Sequence, residues 1–70
     1  MGKRPDFADR LKELRLDAGL GMEELAAQVK VGLGSISRWE AGLTIPKITI
    51  VIMFARFFKV SVGYMAGEED

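Results

Sequence analysis

Residues that stop or cap helices recur about every ten positions along this chain, so none of its helices can be long. Gly19, Gly32, Gly42 and Pro46 mark the stops. Between them, apolar residues recur three or four positions apart, which is typical of one buried helix face. The pattern predicts five short helical segments and an all-α fold, with no repeat and no linker.

The first segment is predicted to begin at a capping residue, Asp6, and to end at Gly19. Two shorter helices follow, over residues 22–29 and 33–41, with a tight turn at residues 30–32 between them. The first segment carries a single apolar stripe, formed by Phe7, Leu11, Leu14 and Ala18. Short helix, tight turn, short helix is the most distinctive local arrangement in the sequence.

The fourth segment follows Pro46 and is ambiguous by composition. Four β-branched aliphatic residues and a threonine fill positions 48–52, which by propensity favours a strand. An apolar face at helical spacing favours a helix instead, and we adopt the helix; the face comprises Ile48, Val51, Phe54, Ala55 and Phe58. A second stripe of Ile50, Met53 and Phe57 makes the helix apolar nearly all round, which is typical of an interface.

The end of the chain is predicted to close with a helical turn capped by Ser61 and carrying Met65. Length bounds the rest: 70 residues form one domain at most. We expect a single domain over 1–70, with a flexible start at 1–5 and a frayed acidic tail at 68–70.

The composition excludes several kinds of chemistry. No cysteine or histidine occurs, which removes disulfides, the usual zinc sites, a thiol nucleophile and an imidazole base. A chain of this length builds one thin core and no deep cleft. We therefore expect no enzyme, no metal site, no cofactor and no small-molecule substrate. No apolar run approaches the roughly 20 residues that span a bilayer, so a cytoplasmic protein without a membrane partner is expected.

The charge balance is unusual for a chain with this helical pattern. Ten basic and ten acidic residues give a formal net charge of +0. A domain that holds DNA by its phosphates usually has a basic surplus, because each neutralised phosphate releases counterions. This chain lacks that surplus.

Five motifs lie in register along the chain: FADRLKELR at 7–15, GL at 19–20, EELA at 23–26, SISRWE at 35–40 and VSVGYM at 60–65. Together with Gly42 and Pro46 they resemble the helix-turn-helix domain of phage repressors, Cro and xenobiotic-response-element regulators, over residues 6–67. The resemblance implies a compact five-helix repressor-like bundle whose second and third helices form the DNA-binding pair. It also implies an ion pair between Arg15 and Glu40 that fixes the third helix against the first.

The positions that contact DNA in such domains depart from the family pattern. Relatives open the second helix with Ser and Gln, whereas this chain has Gly21 and Met22. Relatives open the third helix with polar residues, because donors and acceptors distinguish base edges. This chain has Gly32, Leu33 and Gly34 there. Most of the polar groups that would read bases are therefore missing.

The segments on either side of the third helix depart from the pattern as well. After it, Leu43-Thr44-Ile45 stands where relatives often place Lys or Arg against the DNA backbone. Before it, Lys30 occupies the turn position where relatives usually have Gly with positive φ, which predicts strain of about 1 kcal/mol.

From these departures we interpret the chain as a non-enzymatic protein-binding module that docks on a folded protein partner or on a copy of itself. Apolar side chains would serve as anchors, glycines would allow close approach, and Ser35, Ser37 and Arg38 would form a polar rim. The predicted protein-contact residues are Met22, Gly32, Leu33, Gly34, Leu43, Ile45, Ile50 and Met53. Whether this face arose by engineering or by drift stays open.

The alternative is the function that the resemblance implies, a dimeric transcriptional regulator that binds double-stranded DNA at a palindromic operator. The predicted DNA-contact residues are then Met22, Lys30, Gly32, Leu33, Ser35, Ser37, Arg38 and Lys47. Salt distinguishes the two hypotheses, because DNA binding weakens steeply as salt rises whereas an apolar interface is nearly indifferent.

Overall fold

Five helices make up the regular secondary structure of residues 6–69, which are the residues that the computed structural model describes. The helices are α1 (Phe7–Asp17), α2 (Met22–Val29), α3 (Leu33–Glu40), α4 (Ile48–Phe58) and α5 (Val62–Met65). The predicted all-α, five-helix fold is confirmed. The third helix ends one residue earlier than predicted, because Ala41 is its C-cap. The expected flexible start at 1–5, and Asp70, lie outside the described residues.

Local hydrogen bonds set the bounds of α1. The Asp6 carboxylate accepts a hydrogen bond from the Asp9 backbone N–H (3.1 Å), and the Asp9 carboxylate accepts one from the Asp6 N–H (3.3 Å). This reciprocal capping box supplies partners for two backbone donors at the helix start. After the helix, Gly19 takes a φ of +72°, which glycine adopts at little cost. The predicted start and stop of the first helix are confirmed.

Every helix contributes one fully buried side chain to the core. These side chains are Leu11 of α1, Leu25 of α2, Ile36 of α3, Phe54 of α4 and Met65 of α5. Because α2 and α3 each insert one large residue beside α1 and α4, the pair is held by the same core as the rest of the domain. None of the described helices is long and apolar enough to cross a membrane.

An aromatic cluster joins α1, α3 and α4. The rings of Phe7, Trp39 and Phe54 meet edge-on or tilted, with centroids 5.8 to 6.5 Å apart. Such edge-to-face contacts stabilise by about 0.5 to 1.5 kcal/mol each beyond the burial of area. Trp39 therefore packs α3 onto the two longest helices.

The fourth segment is helical despite its β-branched start, and Val51, Phe54 and Ala55 form its buried face. Ile48 was predicted to lie on the same face, but its side chain is 62% exposed. That prediction is wrong because the preceding residues 43–45 are themselves exposed, so nothing covers the first turn of α4 from that side.

The last described residues fold back onto α1 and α5. The buried Arg10 guanidinium donates to the Glu69 backbone carbonyl (2.8 Å) and stacks 3.8 Å above the centre of the Tyr64 ring. The Ser61 hydroxyl accepts the Tyr64 N–H, as predicted for a cap, and donates to the Glu69 carboxylate (2.8 Å). A buried cation and a hydroxyl thus supply Glu69 with partners, and the fraying of residues 68–70 stays a prediction.

Two lysines adopt the left-handed backbone conformation. Lys30, between α2 and α3, has a φ of +61°, and Lys59, after α4, has a φ of +59°. The first was predicted from its place in the turn. In both, the Cβ atom crowds the following carbonyl, which costs about 1 kcal/mol relative to glycine.

We therefore expect Lys30→Gly to raise the free energy of unfolding by about 0.5 to 1 kcal/mol, because the relief of strain exceeds the added freedom of the unfolded chain. Urea denaturation followed by circular dichroism measures the change. Lys30→Ala is the matched control, since it removes the same charge and keeps the Cβ. Equal stability of the glycine and alanine variants would show that the turn is unstrained.

Candidate nucleic-acid interface

The pair α2 and α3 is joined by a three-residue turn, Lys30-Val31-Gly32. The left-handed Lys30 reverses the chain, and the Val31 N–H then donates to the carbonyl of Ala26 in the last turn of α2 (3.0 Å). Gly32 is the N-cap of α3 and offers no side-chain cap. The angle between the helices is thus set by backbone conformation in the turn and by burial of one residue from each helix.

An ion pair ties the end of α3 to α1. Arg15 donates from Nε and Nη2 to the two carboxylate oxygens of Glu40, at 2.6 and 2.9 Å, and from Nη1 to the Leu20 carbonyl at 2.9 Å. Both side chains are buried, with 8% and 3% of their surfaces exposed. The hydrogen bond that Arg15 donates to Glu40 raises the pKa of Arg15 above its usual value despite desolvation. Arg15 therefore stays charged wherever the domain is folded.

With Ile36 buried and Glu40 engaged, α3 presents a small face to solvent. Leu33, Gly34, Ser37 and Arg38 are exposed, and Leu33 is 44% exposed. These positions recur at spacings of one, three and four, so they form one outer face of the helix. The single charge on that face is the Arg38 guanidinium, because the other charged residue of α3 is paired with Arg15.

Three lysines border this face. Lys30 lies in the turn before α3, and Lys47 lines a shallow groove together with Gly32 and Ser35. Lys12 of α1 lines another groove with Ser37. The predictions from sequence omitted Lys12, although its spacing of three from Arg15 placed it on the side of α1 that meets α3.

Carboxylates lie at the start of α2. The Glu24 carboxylate accepts a hydrogen bond from the Gly21 backbone N–H at 2.7 Å. In a helix without this cap, that N–H could bind an anion, but here it already has a partner. Glu23 beside Glu24 is exposed. The start of α2 is therefore acidic, and within residues 6–69 the positive charge at the exposed face of α3 comes from Arg38 and the three bordering lysines.

The predicted protein-contact residues do not form one exposed surface. Leu43 and Ile45 in the loop after α3 are 74% and 96% exposed. Met22, Ile50 and Met53 are half-buried and pack against the domain's own core. Gly32, Leu33 and Gly34 lie at the exposed start of α3, and Ser35 behind them is half-buried.

Chemically, this surface offers hydrogen-bond donors, aliphatic groups and a few cations. Within residues 6–69, no group of three potential metal ligands lies together. The described part of α3 can donate from a guanidinium and a hydroxyl and can contact methyl groups through Leu33. These are interactions that suit the edges of base pairs in a major groove.

Comparison with known proteins gives consistent matches. A family model described as helix-turn-helix matches residues 11–65. The HTH-type transcriptional activator BcrR of Enterococcus faecalis is 34% identical over 65 residues, covering 91% of this chain and 32% of BcrR. The uncharacterized HTH-type transcriptional regulator YobD of Bacillus subtilis is 33% identical over 64 residues, covering 91% of this chain and 57% of YobD.

A solved structure agrees with these sequence matches. The crystal structure of a transcriptional regulator from Listeria innocua superposes with a TM-score of 0.81 at 26% identity, over 91% of this chain and 60% of that one. The chain thus spans between about a third and three fifths of the length of the relatives it matches.

The preferred interpretation from sequence, a protein-binding module, is wrong. The matched proteins are named as transcriptional regulators, and this finding overturns that interpretation. The physical reason is that apolar residues were counted as one exposed surface, whereas Met22, Ile50 and Met53 contribute to the core. The expectation that a protein is the favoured partner is therefore not supported either.

The ion pair generates a stability prediction. We expect Arg15→Ala to lower the free energy of unfolding by about 2 to 4 kcal/mol, because it leaves the Glu40 carboxylate buried without a partner. The double variant Arg15→Met/Glu40→Leu removes both charges and should lose less. Urea denaturation measures all three.

Lys12→Ala, on the same helix but exposed, is the control and should change stability by no more than about 0.5 kcal/mol. A loss for Arg15→Ala as small as that of the control would contradict the role given to the pair.

Proposed function

This chain belongs to the helix-turn-helix family, and we propose that it is the DNA-binding domain of a transcriptional regulator, reading double-stranded DNA with α3 in the major groove. The observation that carries the proposal is the outer face of α3. It is exposed, narrow and held at a fixed angle by the Arg15–Glu40 pair. A helix of this width fits the roughly 12 Å major groove of B-DNA.

Base reading is assigned to few groups. Arg38 can donate two hydrogen bonds to a guanine, and Ser37 can donate or accept one. Leu33 supplies an aliphatic surface for a thymine methyl group. Gly32 and Gly34 on either side of Leu33 carry no side chain, so the bases can approach the backbone closely there.

Phosphate contacts are assigned to the lysines that border α3: Lys12, Lys30 and Lys47. They lie on different elements, namely α1, the turn and the start of α4, so they can reach backbone on either side of the groove. The carboxylates of Glu23 and Glu24 oppose them. We therefore expect low affinity for DNA of arbitrary sequence.

The small size of the exposed face of α3 favours binding as a dimer. One α3 of eight residues supplies two side chains with strong donors, which is little for a specific complex. Two copies related by a two-fold axis double the contacts and place their α3 helices one turn of DNA apart, about 34 Å.

The salt dependence of binding tests the function directly. Each lysine on a phosphate adds about 0.9 to the slope of log affinity against log salt, so each bound copy should contribute a slope of about −2 to −3. Lys47→Ala should flatten the slope by about 1 for each bound copy and weaken binding to all sequences alike. Fluorescence anisotropy with a labelled duplex selected from a randomised pool measures both quantities.

Arg56→Ala is the matched control, because it removes an exposed cation at the other end of α4. Its slope should equal that of the unchanged chain. Enrichment of no duplex from the pool, or binding that is indifferent to salt, is the result that would reject DNA binding.

The dimer is tested by the same selection. Enriched duplexes should contain inverted half-sites whose centres lie about 10 base pairs apart, and sedimentation should give two chains for each duplex. Inserting five base pairs between the half-sites turns one of them to the opposite side of the DNA and should abolish the joint binding. Selection of a single, asymmetric site bound by one chain would contradict the dimer.

A further inference from the structure

One turn before Arg38, the outer face of α3 carries a glycine. A Cβ atom placed on Gly34 would lie 3.1 Å from Nη1 and 4.0 Å from Cζ of Arg38. Ordinary contacts of a carbon atom lie at about 3.5 to 4.0 Å. Any other residue at position 34 would therefore require the guanidinium to shift by a few tenths of an ångström.

Few polar bonds hold the guanidinium there. Its Nη2 lies 3.5 Å from the Ser35 hydroxyl, at the outer limit of a hydrogen bond. Among the described residues, no carboxylate forms an ion pair with Arg38. The side chain lies along the helix because the surface at Gly34 is flat, and its donors are left for another acceptor.

We infer that Gly34 is a positioning residue, which lets the Arg38 guanidinium lie against α3 in the orientation that reads a guanine. The inference rests on the proposed DNA-binding function and adds one determinant of base preference to it. It also predicts that the bound DNA contains a G·C pair whose guanine O6 and N7 face the middle of α3.

The physical basis is preorganisation. A free arginine side chain samples many rotamers, and freezing it on a base costs entropy. A guanidinium that already rests on the helix surface loses less freedom when it binds, and its two donors keep a fixed direction. A methyl group at position 34 would displace it by a few tenths of an ångström and so change that direction.

The same glycine weakens the helix that carries it, since glycine inside a helix is less stable than alanine. The inference therefore has an unusual signature. Gly34→Ala should raise the melting temperature, by about 3 to 6 °C, while it lowers base discrimination. A glycine that does not position Arg38 would give the higher melting temperature and leave discrimination unchanged.

The experiment uses the duplex that the unchanged chain enriches from the randomised pool, and copies in which one G·C pair at a time is replaced by A·T. Discrimination is the ratio of the two dissociation constants. We expect Arg38→Ala to reduce discrimination at one G·C pair by about tenfold or more. Gly34→Ala should reduce it at the same pair, and adding Gly34→Ala to Arg38→Ala should change nothing further.

Ala27→Gly is the matched control, because it exchanges alanine and glycine at an exposed position of α2 to which no DNA contact is assigned. It should leave discrimination unchanged. A readout without DNA completes the test: ¹⁵N relaxation of the Arg38 Nε–H bond should report greater mobility in Gly34→Ala than in the unchanged chain.

Each failure has a separate meaning. Absence of any enriched duplex rejects the proposed function, and the inference with it. Equal losses from Gly34→Ala with and without Arg38 show that the methyl group meets DNA directly, which overturns the inference and leaves the function standing. Uniform weakening of all duplexes by Arg38→Ala places this residue on a phosphate and overturns the inference too.

Discussion

The bidentate pair between Arg15 and Glu40 is the interaction on which the geometry of the interface depends. Helix α3 is eight residues long, too short to be stable alone, and its outer face carries no packing partner. Ile36 and Trp39 hold its inner side by apolar contact. Apolar contact fixes the position of the helix better than its rotation about its own axis. The two charge-assisted hydrogen bonds fix the rotation about the helix axis, because both oxygens must meet the planar guanidinium together.

The net charge of zero and the acidic start of α2 both affect how strongly the domain attracts DNA of arbitrary sequence. Strongly basic DNA-binding domains adhere to any duplex, and their specificity is a small difference between two large affinities. Here the acidic start of α2 opposes the lysines near α3, so nonspecific attraction is small from the outset. In the proposed function, discrimination then depends on a handful of contacts, and each has a proportionally large effect.

Local features of this fold were predictable from sequence, and features set by tertiary packing were not. The Asp6 and Ser61 caps and the Gly19 stop depend on nearest neighbours and were predicted correctly. Ile48 was misplaced because periodicity identifies a helix face without showing how far along the helix the core extends. Met22, Ile50 and Met53 were predicted as contact residues, and their packing against the core depends on neighbours distant in sequence. The mistaken protein-binding interpretation rested on apolar residues at positions where relatives have polar ones.

The fold of the Glu69 segment onto α1 brings the two ends of the described chain side by side, since Arg10 lies in the second turn of α1 and binds the Glu69 carbonyl directly. A short peptide could therefore join these ends without disturbing the core, and new termini could open in the exposed loop at 43–45. The domain could therefore be circularly permuted, or inserted into a loop of a host protein, while the five helices kept their places.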